Sequence, residues 1–239
     1  MSATRPTILA TSMGLNRASE LWRPGPIFDY AFEVACPAGV PRLCVLTTAN
    51  GDQLSVLKQF ERAFASTAVE LSFLTLFDKP NVDDVATHLH AQDVIWIDRG
   101  SLVNLLAVWR AHHLEDVLRE CWQAGTVLAG ESAGSLCWFA GGTTDSFGDV
   151  QAIKDGLGLL PYANAVHYAD RRTQFRQLIA DGTLPTGYAT DAGAGLHFEG
   201  TELVAAISDR KNAGAYLVER RDQGAAVENS LDVRRLTRS

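Results

Sequence analysis

The chain has 239 residues, 46% of them hydrophobic, which is enough to bury a full core in one α/β domain spanning residues 1–239. Its formal net charge of −7 offers no basic stripe to a phosphate backbone, which argues against nucleic acid and leaves small molecules or peptides as partners. No apolar run approaches a membrane span, and the opening MSATRPTILATSMGLN has no apolar signal core, so a cytoplasmic protein with no membrane partner is expected.

In chain order, TILATSM (7–13) reads as a strand, IFDYAFEVA (27–35) as a helix and RLCVLTT (42–48) as a second strand. QLSVLKQFERAFAS (53–66) repeats apolar residues at three- and four-residue spacing and reads as a helix. VELSFLTLF (69–77) follows as a strand, NVDDVATHLHA (81–91) as a helix and DVIWID (93–98) as a strand. One long helix is expected over 101–125, then the strand TVLAG (126–130) and a helix beginning near SLCWF (135–139). Strands that are apolar on both faces and alternate with helices predict a mostly parallel central sheet covered on both sides, with sites beyond the carboxyl ends of the strands. After residue 150 the pattern loosens. A helix near 171–182 precedes GLHFEG (195–200), ELVAAIS (202–208) and AYLVERR (215–221), read as antiparallel edge strands, and a lightly packed tail, 230–239.

Cys36, Cys44, Cys121 and Cys137 show no C-x-x-C spacing and read as reduced, buried thiols, with no zinc site and no cofactor implied. The chemistry concentrates in AGESAGSLCWF (129–139). Gly130-Glu131-Ser132-Ala133-Gly134 fits G-x-S-x-G, where small flanking residues allow a sharp strand-to-helix turn that exposes the hydroxyl. The Ala133 amide, next after the nucleophile, is the natural first donor of an oxyanion hole. The competing reading makes Ser132 a helix N-cap, a position serine favours. A serine nucleophile needs a base and a group that orients the base. His88, His90, His112 and His113 read as solvated helix residues, which leaves His167, at a strand end, and His197, inside an alternating strand. Asp145, Asp170 and Asp191 are the carboxylates available for the third role.

These segments carry a resemblance. GESAGSLCWFAGGTTDSFGD (130–149), the helix before it, and HYADRRTQFRQLIADGTLPTGYATDAGAGLHF (167–198) together resemble the peptidase E family of aspartyl dipeptidases, related to cyanophycinase. The resemblance runs over roughly residues 5–220. It implies a three-layer α/β sandwich of the class I glutamine-amidotransferase type, a cytoplasmic serine peptidase without metal, and a monomer or homodimer. It aligns Ser132 with the nucleophile and His167 with the base. Asp191 is aligned with the residue that orients His167, and Asp145 is the rival.

The family's glycine-rich turn, which supplies the second oxyanion donor, here reads Asp98-Arg99-Gly100-Ser101, so Gly100 carries that role if the backbone is kept. Asp98 and Arg99 either pair with one another across the site or point to solvent. The resemblance implies Asp-X dipeptides as substrates. A side-chain carboxylate calls for a guanidinium, and Arg171, Arg172 and Arg99 are the candidates, with Glu131 available for the substrate's α-amino group. Two other functions stay open: the same triad acting on another amide or acyl substrate, and a binding protein that has lost turnover.

Overall fold

The computed structural model describes residue 3, residues 5–221 and residues 224–237. The first half alternates strand and helix: β1 (Thr7–Thr11), α1 (Pro26–Ala35), β2 (Arg42–Leu46), α2 (Leu54–Phe64), β3 (Glu70–Leu74), α3 (Val85–His90), β4 (Val94–Ile97), α4 (Leu102–Ala111), α5 (Leu114–Gln123) and β5 (Val127–Glu131). A single helical turn, α6 (Ala133–Leu136), opens the strand-rich second half: β6 (Phe139–Thr144), β7 (Gln151–Ile153), β8 (Leu160–Val166), α7 (Tyr168–Ala180), β9 (Gly187–Thr190), β10 (Ala194–Glu199), β11 (Glu202–Ser208), β12 (Ala215–Arg221), β13 (Ala225–Ser230) and β14 (Val233–Arg235).

The larger sheet runs β14-β11-β10-β1-β5-β4-β2-β3. Its centre, β1 through β3, is parallel, and β10 and β11 extend it in antiparallel fashion from β1. Side chains alternate between faces with a period of two. Ile8, Cys44, Ile95 and Leu128 therefore point to the side of α4 and α5, whereas Leu9, Val45, Trp96 and Ala129 point to α1 and α2. A second sheet, β13-β12-β9-β8-β6-β7, joins three parallel strands to antiparallel neighbours and packs α7 on its outer face through Ala163, Phe175, Ile179 and Val218. Phe198 of β10 meets Phe139, Tyr162 and Tyr188 of the second sheet, with ring centroids 5.3–6.3 Å apart. Burying rings of this size makes that contact a main source of adhesion between the sheets.

Several expectations are corrected. The long helix over 101–125 is two helices, because His113 adopts φ 53 and ends the first. The buried stripe Leu102, Leu105, Leu106, Trp109 would continue at residues 112 and 113, which are histidines. Breaking there re-phases the chain so that Leu114, Leu118 and Cys121 reach the core. The helix after Ser132 is only one turn, because Gly141 and Gly142 bring β6 against the Ile153 and Asn164 carbonyls. AYLVERR belongs to the second sheet rather than the edge of the first. The expected loose tail pairs instead with β11 as β14, and Leu236 N donates to Ser208 O, while residues 238–239 lie outside the described residues. Cys36 is exposed, unlike the other three cysteines, and His88 is half-buried with Nε2 3.5 Å from Cys44 Sγ.

Candidate active site

Ser132 lies between β5 and α6 with φ 60 and ψ −109, a conformation that L-residues rarely adopt. The two glycines of G-x-S-x-G explain how the chain turns there. A Cβ on Gly134 would stand 2.1 Å from the Ile97 carbonyl oxygen, and one on Gly130 would stand 2.3 Å from the Gly134 carbonyl oxygen. The turn thus lies directly on β4. Ser132 caps α6 through its backbone carbonyl, which accepts from the Ser135 and Leu136 amides, and its side chain makes no capping bond. The hydroxyl faces His167 instead, with Oγ 3.2 Å from Nε2.

His167 is positioned by the other sheet. It follows β8, adopts φ 53 and precedes α7, and its amide donates to Ser12 Oγ at 3.3 Å. Ser12 Oγ lies 2.8 Å from Thr190 Oγ1, so three strand ends meet behind the ring. Burial holds the His167 pKa below the ordinary histidine range, and the Arg171 and Arg99 cations add to this against Glu131 and Asp145. The imidazole is therefore neutral at neutral pH, the form that accepts a proton from serine.

The carboxylates expected beside it are occupied elsewhere. Asp191 Oδ2 accepts from Gly214 N and Tyr216 OH, both at 3.0 Å, and Asp145 pairs with Arg171 at 3.0 Å. Among the described residues, no carboxylate hydrogen-bonds the His167 ring. The candidate oxyanion donors, the Ala133 and Gly100 amides, have no protein acceptor among the described residues. Gly100, at φ 147, has a packing reason for being glycine as well, since a Cβ would stand 2.2 Å from the Ala49 carbonyl oxygen.

A cavity of about 540 Å³ reaches Glu131, next in the chain to Ser132, and is lined also by Ser12, Arg17, Arg99, Asp209 and Arg210, whereas Ser132 and His167 themselves are not part of its lining. Cys137, five residues beyond Ser132, is buried with its thiol pKa pushed well above the usual range, so it is no competing nucleophile.

Residues 27–206 match the model of peptidase family S51. The chain belongs to peptidase family S51. It is a serine-type peptidase. The uncharacterized peptidase YgaJ of Bacillus subtilis (strain 168) is 41% identical over 181 residues, which cover 74% of this chain and 78% of that protein. The fold is shared with a peptidase from an acI-B1 actinobacterium, at TM-score 0.68 and 14% identity over 98% of this chain and 96% of the other. It is shared also with a Listeria monocytogenes EGD-e protein named as a peptidase E, at TM-score 0.57 and 15% identity over 83% and 96%.

In this S51 peptidase the residues expected to bind substrate differ in their freedom. Arg171 is buried, donates to Thr143 O at 2.7 Å and pairs with Asp145. Arg172 pairs with Glu228 through both oxygens and stacks on Tyr168 and Tyr216. Arg99 is 51% exposed, and its recorded ion pair is with Glu131 at 3.6 Å. Asp98 neither pairs with Arg99 nor points to solvent. It is buried and bonded to Arg17 Nη2 at 2.6 Å, while Arg17 Nη1 bonds Glu131 at 2.5 Å. Arg17 escaped the sequence reading. The available signal was an isolated arginine in the loop after β1, at the carboxyl end of a central parallel strand.

Proposed function

We propose that this S51 peptidase hydrolyses short peptides with an N-terminal aspartyl residue through an acyl-enzyme formed on Ser132. Ser132 Oγ attacks the scissile carbonyl as His167 Nε2 takes its proton. The C–N bond then breaks as the same nitrogen protonates the leaving amine, and water repeats the sequence on the ester. The Ala133 and Gly100 amides hold the oxyanion. The observation that carries this reading is the 3.2 Å contact between Ser132 Oγ and His167 Nε2, at a turn where the hydroxyl has no capping role. Neither Asp145 nor Asp191 hydrogen-bonds the His167 ring, so the serine–histidine pair carries the chemistry in this reading.

Arg99 recognises the aspartyl side chain, because its half-exposed guanidinium borders the cavity and its ion pair with Glu131, at 3.6 Å, is longer than the contacts that hold Arg171 and Arg172. The absence of disulfides among the four cysteines supports a cytoplasmic location. The test is product release by wild type and Ser132→Ala from di- and tripeptides beginning with Asp, Glu, Asn, Ala or Leu. Turnover confined to Asp-X, lost in Ser132→Ala and raised in KM by Arg99→Ala, is the expected result. Turnover of other peptides would overturn the acidic specificity, and residual turnover in Ser132→Ala would overturn the nucleophile.

A further inference from the structure

We infer that Arg17 is a positioning residue that fixes the nucleophile turn and the 98–101 turn relative to one another, and that residues 14–25 are the strap that delivers it. The inference rests on the reading of Ser132 as nucleophile and adds a residue that this reading does not contain.

The strap is a closed excursion after β1. Gly25 N donates to Gly14 O at 3.1 Å, pinching its base, and Asn16 and Arg23 exchange backbone hydrogen bonds at 2.8 and 3.2 Å. Gly25 is required by close approach to backbone, and Gly14 sits against the Glu131 carboxylate. A Cβ on Gly25 would stand 2.2 Å from the Gly14 carbonyl oxygen, and one on Gly14 would stand 2.4 Å from Glu131 Oε2. The strap therefore lies on the residue that precedes Ser132. Arg17, its guanidinium 4.8 Å from the centroid of the Trp22 ring, reaches Glu131 and Asp98 through separate nitrogens.

Those two carboxylates sit at the ends of neighbouring strands. Glu131 ends β5, one residue before the nucleophile, and Asp98 follows β4, two residues before Gly100. Both are at most 5% exposed, and one cation spans them. A planar guanidinium with separate donors can bridge two carboxylates in fixed geometry, which an ammonium cannot. Asn50 Nδ2 holds the other oxygen of Asp98 at 3.2 Å. Burial raises the Asp98 pKa to about 6, with Glu131 adding to the rise and Arg17 opposing it. Without Arg17, two buried carboxylates keep only the half-exposed Arg99 against Glu131 and the Asn50 amide against Asp98, and the two turns lose their common anchor.

The experiment measures the rate at which Ser132 displaces fluoride from a small fluorophosphonate, a phosphonylation that stands in for, and is here termed, acylation, since this probe reports the nucleophile and oxyanion geometry without filling a peptide subsite. Arg17→Ala should slow acylation about 10- to 100-fold, the scale of a displaced oxyanion donor. Millimolar ethylguanidinium should restore several-fold of that loss while leaving wild type unchanged. Arg17→Lys should be slowed as well, because the donors of an ammonium radiate from one nitrogen and do not reproduce the two separate contacts to Glu131 and Asp98. With peptide substrate, kcat should fall more than KM rises. An Arg17→Ala protein that acylates at the wild-type rate, or that is slow and gains nothing from ethylguanidinium, would overturn the inference. If Arg17→Ala does not fold, Asp98→Asn decides. Slower acylation with a changed pH profile between 5 and 7 supports the anchor, and a wild-type rate and profile contradict it. Wild type that fails to acylate on Ser132 would refute the nucleophile itself, a separate failure.

Discussion

Ser132 and His167 are both non-glycine residues at positive φ, each at the junction of a strand and a helix. Such conformations cost on the order of 1–3 kcal/mol each and persist only where surrounding contacts enforce them. Here they aim two side chains at one another from different sheets. The buried, neutral imidazole sets a pH prediction. Turnover requires the base form, so kcat/KM should rise with pH through the His167 pKa, and that acid limb should lie below the ordinary histidine value. Arg171 is among the causes that lower it, so Arg171→Met should move the limb upward in a pH–rate profile. An unmoved limb would mean that Arg171 does not act on the base. At this scale G-x-S-x-G made Ser132 legible, because the motif encodes a backbone shape. His167 needed the family resemblance to separate it from His197, which lies inside β10 with Nδ1 2.8 Å from Tyr30 OH. Partners of carboxylates were not legible: Asp191 bonds Tyr216 and Asp98 bonds Arg17, contacts made across 25 and 81 residues.

Elements matter through how closely they approach. The turn after β5 rests on β4 with no room for a methyl group at residue 134. Gly134→Ala must push α6 away from Ile97, and overpacking of this kind costs about 1–3 kcal/mol. The expected outcome is a lower urea midpoint together with slower acylation of Ser132. A variant that lost stability but acylated normally would detach the turn's packing from the nucleophile's geometry. The α4–α5 break offers the opposite sign. His113 is exposed at φ 53, where glycine is free of the Cβ penalty, so His113→Gly should be neutral or stabilising by up to about 1 kcal/mol in urea unfolding. The parallel strands β1 through β5 were readable because apolar runs alternate with amphipathic helices. The one-turn α6 and the second-sheet strands β6, β7, β9 and β13 were not. Their sequences are rich in glycine, threonine and alanine, and what makes them strands is their neighbours rather than their own periodicity.

For the whole molecule, the consequence is that the Ser132–His167 pair spans two sheets. Ser132 follows β5 of the larger sheet and His167 follows β8 of the smaller. Their 3.2 Å separation is set by how the sheets dock, and Phe198 with its aromatic partners forms much of that contact. Truncating a fully buried phenylalanine costs about 3–5 kcal/mol. Phe198→Leu keeps most of the volume and should fold, with acylation of Ser132 slowed several-fold through a shifted histidine. Normal acylation in a measurably destabilised Phe198→Leu would show that docking and dyad geometry are independent.

Every step proposed above depends on the activation of Ser132 as a nucleophile by His167. Its most direct test is intact-protein mass spectrometry after fluorophosphonate treatment of wild type and His167→Ala, with the adduct mapped by peptide sequencing. One adduct is expected, on Ser132, forming at least about 100-fold more slowly in His167→Ala, as for loss of a general base. An adduct elsewhere, no adduct in folded wild type, or equal rates in the two proteins would contradict it.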